Sequence, residues 1–287
     1  MAAARAEGFT MRTALNRVPS IPDAEWLDPN NRFNHLERLV REREPDSKFR
    51  PDLVPTQLIR HEAHGPARAI PSNGPHAEGA YFSRKGQGFR YWEAPGEKKK
   101  MLICESDPLV EEYWHQPHTL HFLSRDQQFR SYTPDLEIHL MDGAKEIVEV
   151  KYDYADAVSD TVYIKKLLVA RLHYAGLGLR MAIVTEMEDL DNSVALINAR
   201  TIAPCRHDLL STLDLLRLST HLEDQGGRST LGAVCQCMRN HAEEHPVMSR
   251  RKALAAIARR EIGVDLHTLL FSPDTAVWTL ANRRGHQ

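Results

Sequence analysis

The chain has 287 residues, with 37 Lys and Arg against 39 Asp and Glu, and a formal net charge of −2. Apolar residues make up 42% and charged residues 26%, the balance of a globular protein with chain enough for about two domains and a sizeable core. No apolar run approaches the roughly 20 residues that a bilayer span needs. Residues 1–18 lack the continuous apolar stretch of a secretory signal. Only Cys235 and Cys237 of the four cysteines are closely spaced, which excludes a disulfide framework and a zinc ribbon. The expectation is a reduced, cytoplasmic protein. Near-neutrality argues against sequence-blind coating of nucleic acid and leaves room for local basic patches.

Residues 1–33 carry Pro19, Pro22 and Pro29 without a sustained period and read as a loosely ordered arm. The spacing of Leu36, Leu39 and Val40 predicts a short helix over 34–44. Residues 45–88 read as loop. Pro95 suits a first helical turn and acidic Glu97 follows it, so a helix is predicted over 95–106, stopped by Pro108. Strands are predicted over 119–123, 132–140 and 146–151, with Asp142-Gly143 as a turn. A helix over 163–175 ends at Gly176 and Gly178, and 180–185 is a short apolar strand. Beyond residue 201 helices are predicted over 208–222, 230–243 and 249–261, then one or two short strands over 265–280. That order matches a winged-helix module, and a bare three-helix bundle looks similar.

The chemistry concentrates in Ser131-Tyr132-Thr133-Pro134-Asp135 and Glu149-Val150-Lys151. Strand side chains alternate, so Glu149 and Lys151 share a face while Val148 and Val150 take the other. A solvated ion pair explains any isolated copy of that tripeptide. The preceding strand changes the odds. If Met141-Asp142-Gly143 is a three-residue hairpin loop with Gly143 in the left-handed position, Leu140 pairs with Ala144 and Asp135 falls directly opposite Glu149. Directly opposed side chains have Cβ atoms about 5 Å apart, so two carboxylates there repel unless a divalent cation bridges them, magnesium or manganese by their oxygen preference. A two-residue turn instead shifts the parity and sends Asp135 to the core face. Beside a bridged cation, Lys151 orients an attacking water and steadies a developing negative phosphate. An Asp at a strand start, then acid-x-Lys on the next strand, is the pattern of the PD-(D/E)xK nucleases. Glu97 supplies a third acid from the preceding helix, where stabilising the helix dipole is its plain role and Glu93 competes with it.

Taken together, Phe82-Ser83-Arg84-Lys85, Glu97, Asp107-Pro108-Leu109-Val110, Gln116-Pro117, Tyr132-Thr133-Pro134-Asp135 and Glu149-Val150-Lys151 resemble the TnsA family, the endonuclease subunit of heteromeric bacterial transposases. The resemblance covers roughly residues 80–185 and continues more weakly through Asp265-Leu266 and 269–277. It implies an α/β fold. A restriction-endonuclease-like nuclease core has a mixed sheet flanked by helices, and an α-rich winged-helix-like C-terminal domain follows. The expected divisions are an arm and loop-rich extension over 1–79, the nuclease over 80–200 and the C-terminal domain over 201–287. It implies a Mg²⁺-dependent (Mn²⁺ also suits) DNA endonuclease with Glu97, Asp135 and Glu149 as metal-binding acids. The Val150 carbonyl also reaches the metal, and Lys151 is the catalytic lysine. It further implies transposon-end DNA as substrate, a DDE-type transposase and an AAA+ ATPase regulator as partners, and no membrane.

Lys98, Lys99 and Lys100 follow Glu97. They are either a solvated helix face or contacts to the DNA backbone beside the scissile phosphate. Residues 228–263 hold seven Lys and Arg against three Glu, with Arg250, Arg251 and Lys252 opening the third predicted C-terminal helix. A basic helix start opposes the dipole, so an anionic partner is expected there. Two other readings stay open. One is a stand-alone PD-(D/E)xK repair or defence nuclease. The other is a non-catalytic adaptor bridging transposase and ATPase.

Overall fold

The computed structural model describes residues 24–47, 49, 56–61, 78–123, 129–239 and 245–280. Of the arm expected over 1–33, residues 1–23 lie outside the described residues, while 24–33 are ordered instead, with Trp26 and Phe33 buried in the core. Most of the stretch over 45–77 and the end of the helix predicted over 230–243 also lie outside. Where the loop expected over 45–88 is described it holds strands Thr56–Arg60 and Gly79–Ser83, which pair with other strands. The first elements are α1 (Ala24–Leu27), α2 (Arg32–Arg43), β1 (Thr56–Arg60), β2 (Gly79–Ser83) and β3 (Gly88–Trp92). Then follow α3 (Pro95–Ser106), β4 (Val110–His115), β5 (His118–Leu123), β6 (Phe129–Tyr132), β7 (Leu136–Leu140) and β8 (Lys145–Lys151). The central part closes with α4 (Tyr154–Val158), α5 (Thr161–Gly176), β9 (Arg180–Thr185) and a π-helical turn, Glu186–Leu190.

The central sheet has the order β4-β7-β8-β9. Its first three strands are antiparallel, and β9 joins β8 in parallel. A parallel return needs a crossover, and α4 and α5 supply it. Both faces are covered. Val148 and Val150 pack with Leu136, Ile138 and Met101 of α3, while Ile147 packs with Ile164, Leu167 and Leu168 of α5 and with Phe33 and Leu36 of α2. This explains why β8 lacks a polar face despite its alternating sequence. Arg32 is 1% exposed and makes an ion pair with Asp189 of the π-helical turn, while its guanidinium also donates to the Ile183 carbonyl at 2.8 Å. These contacts stitch α2 to the end of β9.

The strand predicted over 132–140 is two strands in different sheets. β6 belongs to an outer sheet of order β1-β5-β6, β7 to the central one. Pro134 is the reason: it offers no N–H to a ladder and holds Thr133 extended, so the chain changes sheets there. The neighbouring strands change sheets at the same level. β4 ends at His115, Gln116-Pro117 turns the chain, and the Gln116 N–H donates to the Asp135 carbonyl at 2.9 Å.

The remaining elements are α6 (Val194–Ile202), a short 3-10 turn (Ala203–Cys205), α7 (Thr212–Asp224), β10 (Arg228–Thr230), α8 (Leu231–Cys237), α9 (Pro246–Ala258), β11 (Gly263–Val264) and β12 (Ala276–Trp278). The three short strands form an antiparallel sheet of order β10-β12-β11. The order is therefore helix, strand, helix, helix, strand, strand. Leu218, Leu222, Val234, Leu254 and Ile257 share one core with Leu196 and Ala199 of α6 and with Ile103 of α3, so the C-terminal helices are packed onto the central unit. His267 Nε2 also meets Asp107 Oδ2 at 3.1 Å. Among the described residues no helix is long and apolar enough to cross a membrane.

Candidate active site

The β7–β8 hairpin has the wider of the two loops considered from sequence. Leu140 N donates to Ala144 O at 2.8 Å, and Gly143 takes φ +88° in the left-handed region. Asp142 Oδ1 accepts from Ala144 N at 2.9 Å. Leu136 pairs with Val148, so Asp135, one step beyond, stands across from Glu149. On the other side His115 pairs with Leu136, which sets Gln116 across from Asp135. Three neighbouring strands thus align Gln116, Asp135 and Glu149 in one row. Asp135 Oδ2 accepts from Val150 N at 2.7 Å, which fixes the carboxyl at the end of β8.

Glu149 is 2% exposed and both its oxygens are engaged. Oε2 accepts from Tyr132 OH at 2.6 Å, and Oε1 accepts from Tyr163 OH and sits 2.7 Å from Lys151 Nζ. Lys151 Nζ also lies 3.3 Å from Tyr163 OH and 4.5 Å from the centroid of that ring. Burial pulls the Lys151 ammonium down, but the carboxylates of Glu149 and Asp135 outweigh it and hold its pKa above the usual lysine range. Burial, then Glu149, pushes both phenols up, so Tyr132 and Tyr163 are proton donors to that carboxylate and stay protonated.

Glu97 arrives from the other face. Pro95 begins α3 and Glu97 lies in its first turn, as predicted. Gly96 makes the approach possible, because a Cβ there stands 2.9 Å from Val150 Cγ1 and 3.1 Å from Glu186 Oε2. Glu97 is 6% exposed, and its Oε2 accepts from Glu93 N at 2.8 Å and meets His115 Nε2 at 3.0 Å. Glu93 therefore braces Glu97 through its backbone. The three acids converge: burial, then Glu149, then Glu97 drives the Asp135 carboxyl well above the ordinary carboxylate range.

This donor set fits a hydrated magnesium ion. Asp135 Oδ1 and Glu97 Oε1 make no hydrogen bond among the described residues, and magnesium is commonly held by one or two carboxylates plus waters. Excess negative charge in a buried place favours a cation there. No complete cage of three or more His, Cys, Asp or Glu is formed among the described residues. Both oxygens of Glu149 are taken by two phenols and Lys151.

The basic residues divide. Lys99 is committed to Glu186, at 2.6 Å, and to Asp191. Lys98 is exposed and lies 5.0 Å from the centroid of the Trp92 ring, and Lys100 is partly exposed. The third C-terminal helix starts at Pro246, so Arg250, Arg251 and Lys252 sit a turn inside it rather than opening it. Arg251 pairs with Asp208 at 2.7 Å and Lys252 with Asp214 at 3.2 Å, internal partners that account for both. Arg250 is exposed at the rim of a cavity between α8 and α9. Asp153 and Asp160, in the acidic stretch after Lys151, are N-caps of α4 and α5.

Tyr163 and His115 are site residues that the sequence did not single out. Tyr163 comes twelve residues after Lys151 on a helix whose apolar period hides it, and no local motif marks it. His115 stands in none of the motifs, and His118, three residues on, turns away, bonding Tyr174 OH at 2.8 Å. No protein-family model matches the chain, and no curated protein matches it.

Proposed function

We propose that this chain is a divalent-metal-dependent DNA endonuclease, the TnsA-like subunit of a cut-and-paste transposase. The observation that carries the reading is the alignment of Asp135 opposite Glu149, with Lys151 two residues on and Glu97 brought over Val150 by Gly96. The sheet flanked by α3 and α5 supports a restriction-endonuclease-like core. The order α7-β10-α8-α9-β11-β12 supports a winged-helix module behind it.

In this reading Asp135, Glu97 and Glu149, with the Val150 carbonyl, would hold Mg²⁺. When bound, the ion supplies Lewis acidity at the scissile phosphate and lowers the pKa of a water. Lys151, charged and held by Glu149, stabilises the negative charge that develops on the phosphate. Tyr132 and Tyr163 keep Glu149, and through it Lys151, in place. His115 and the Glu93 N–H orient Glu97. The substrate is transposon-end DNA in the cytoplasm, delivered by a DDE-type transposase and an AAA+ ATPase.

Mg²⁺-dependent nicking of end-bearing DNA, assayed with a DDE-type transposase and an AAA+ ATPase of the same element present, tests the reading. Lys151→Ala and Asp135→Ala each abolish the nick while the chain stays folded. Full transposition by Asp135→Ala would establish the adaptor instead, and strong cutting by the purified chain alone the stand-alone nuclease.

A further inference from the structure

Two residues that touch these acids, His115 through Nε2 to Glu97 and Gln116 through its N–H to the Asp135 carbonyl, each carry a buried side-chain atom with no hydrogen-bond partner among the described residues: His115 Nδ1 and Gln116 Oε1. Both residues are 3% exposed. Protein interiors leave few such atoms unmatched, and an ordered water or ion commonly explains those that remain. Gln116 has a second peculiarity. Its φ is +45°, a left-handed conformation that residues other than glycine seldom adopt. Backbone held in such a state, where its surroundings enforce it, is a pointer to a functional position. Here the enforcement is visible: the Gln116 N–H is tied to Asp135 O at 2.9 Å, and Pro117 follows directly. If Gln116 merely braced the sheet, its amide oxygen should itself be bonded.

Resting on the nuclease reading of the site, we propose that Gln116 is a further binding residue for the divalent cation: its Oε1 accepts a hydrogen bond from a water in the hydration shell of the ion held by Asp135 and Glu97. Magnesium keeps several of its waters, and each needs an acceptor for its protons. A neutral amide supplies an acceptor without adding charge next to the carboxylates of Asp135 and Glu97. The backbones lie side by side, because the Gln116 N–H is bonded to the Asp135 carbonyl just past the end of β4.

Mn²⁺ titration of the full chain by calorimetry tests this without relying on cleavage. Gln116→Met keeps length and backbone class but removes the acceptor. It is expected to weaken Mn²⁺ binding about tenfold or more, the range seen when outer-shell partners are lost. Melting in EDTA should be unchanged or raised, since the amide oxygen has no partner among the described residues. Gln116→Asn, which suits the left-handed backbone and withdraws the oxygen by one methylene, carries the same expectation should the Met variant fold poorly. Asp135→Ala is the reference that loses binding. Wild-type Mn²⁺ affinity in Gln116→Met, alongside its loss in Asp135→Ala, overturns the role of Gln116 and leaves the site reading intact. Failure of the wild-type chain to bind Mn²⁺, or full binding by Asp135→Ala, overturns the cation site and this inference with it.

Discussion

The Lys151 ammonium lies 2.7 Å from Glu149 Oε1, and both side chains project from β8 into the space between the central sheet and α5. Glu149 is the more buried partner, and its other contacts are phenols that stay protonated. The lysine's position therefore depends on that carboxylate.

Replacing Glu149 with Gln tests that dependence through pH. Carboxylates hold the Lys151 pKa above its usual range, so the ammonium persists into strongly alkaline solution. Without Glu149, burial acts with less opposition and the pKa falls. Nicking that needs the ammonium should then lose its alkaline limb at lower pH than in the wild type. Rates measured from about pH 7 to pH 11, bracketing the ordinary lysine value near 10.4, show the displacement. An unmoved limb in a folded, active variant means that Lys151 does not act as a cation.

Asp135→Asn should make the metal-free chain more stable at neutral pH. Burial and the neighbouring acids raise the folded-state pKa of Asp135 above its unfolded value near 3.9. Folding therefore favours the protonated form. That contribution is fully present below about pH 4 and is lost as pH rises through the folded-state pKa. Asparagine is neutral throughout, so its advantage should grow over that window, read as a higher melting temperature in EDTA. Mg²⁺ should reverse the order by stabilising only the wild type. Equal melting of the two proteins in EDTA from pH 4 to pH 8 would show that the acids do not strain one another.

What the sequence revealed and what it hid follow from the range of the interactions. The row of Asp135 and Glu149 was legible because one local choice, a three-residue loop ending at Gly143, fixes the register of everything above it. The helix Pro95–Ser106 was legible because its start and stop are both prolines' work. The break at Thr133–Asp135 was not, because alternation of apolar residues reads the same whether a strand stays in its sheet or crosses to another. β4 was missed because Tyr113, Trp114 and His115 are all buried, which erases its period. Tyr163 reaches Glu149 through the packing of α5 on the sheet, a contact no spacing encodes. Lys99, Arg251 and Lys252 looked free in the sequence, but acids distant in the chain or on other elements neutralise them.

Gly96→Ala separates position from stability at Glu97. Here Ala94-Pro95-Gly96 lets the first turn of α3 press against β8. An added methyl meets Val150 Cγ1 at 2.9 Å, closer than such carbons approach, and Glu186 Oε2 at 3.1 Å. Val150 is pinned by the bond from its N–H to Asp135, so α3 must give way and carry Glu97 with it. Alanine meanwhile favours a helix over glycine by about 1 kcal/mol, which offsets part of the crowding. The expected variant melts within a few degrees of the wild type yet nicks DNA slower by about 100-fold, the cost of a displacement near 1 Å in a catalytic group. Parallel melting curves and single-turnover nicking rates check it. A folded Gly96→Ala protein cutting at the wild-type rate would remove Glu97 from the site and leave it as a helix-dipole residue.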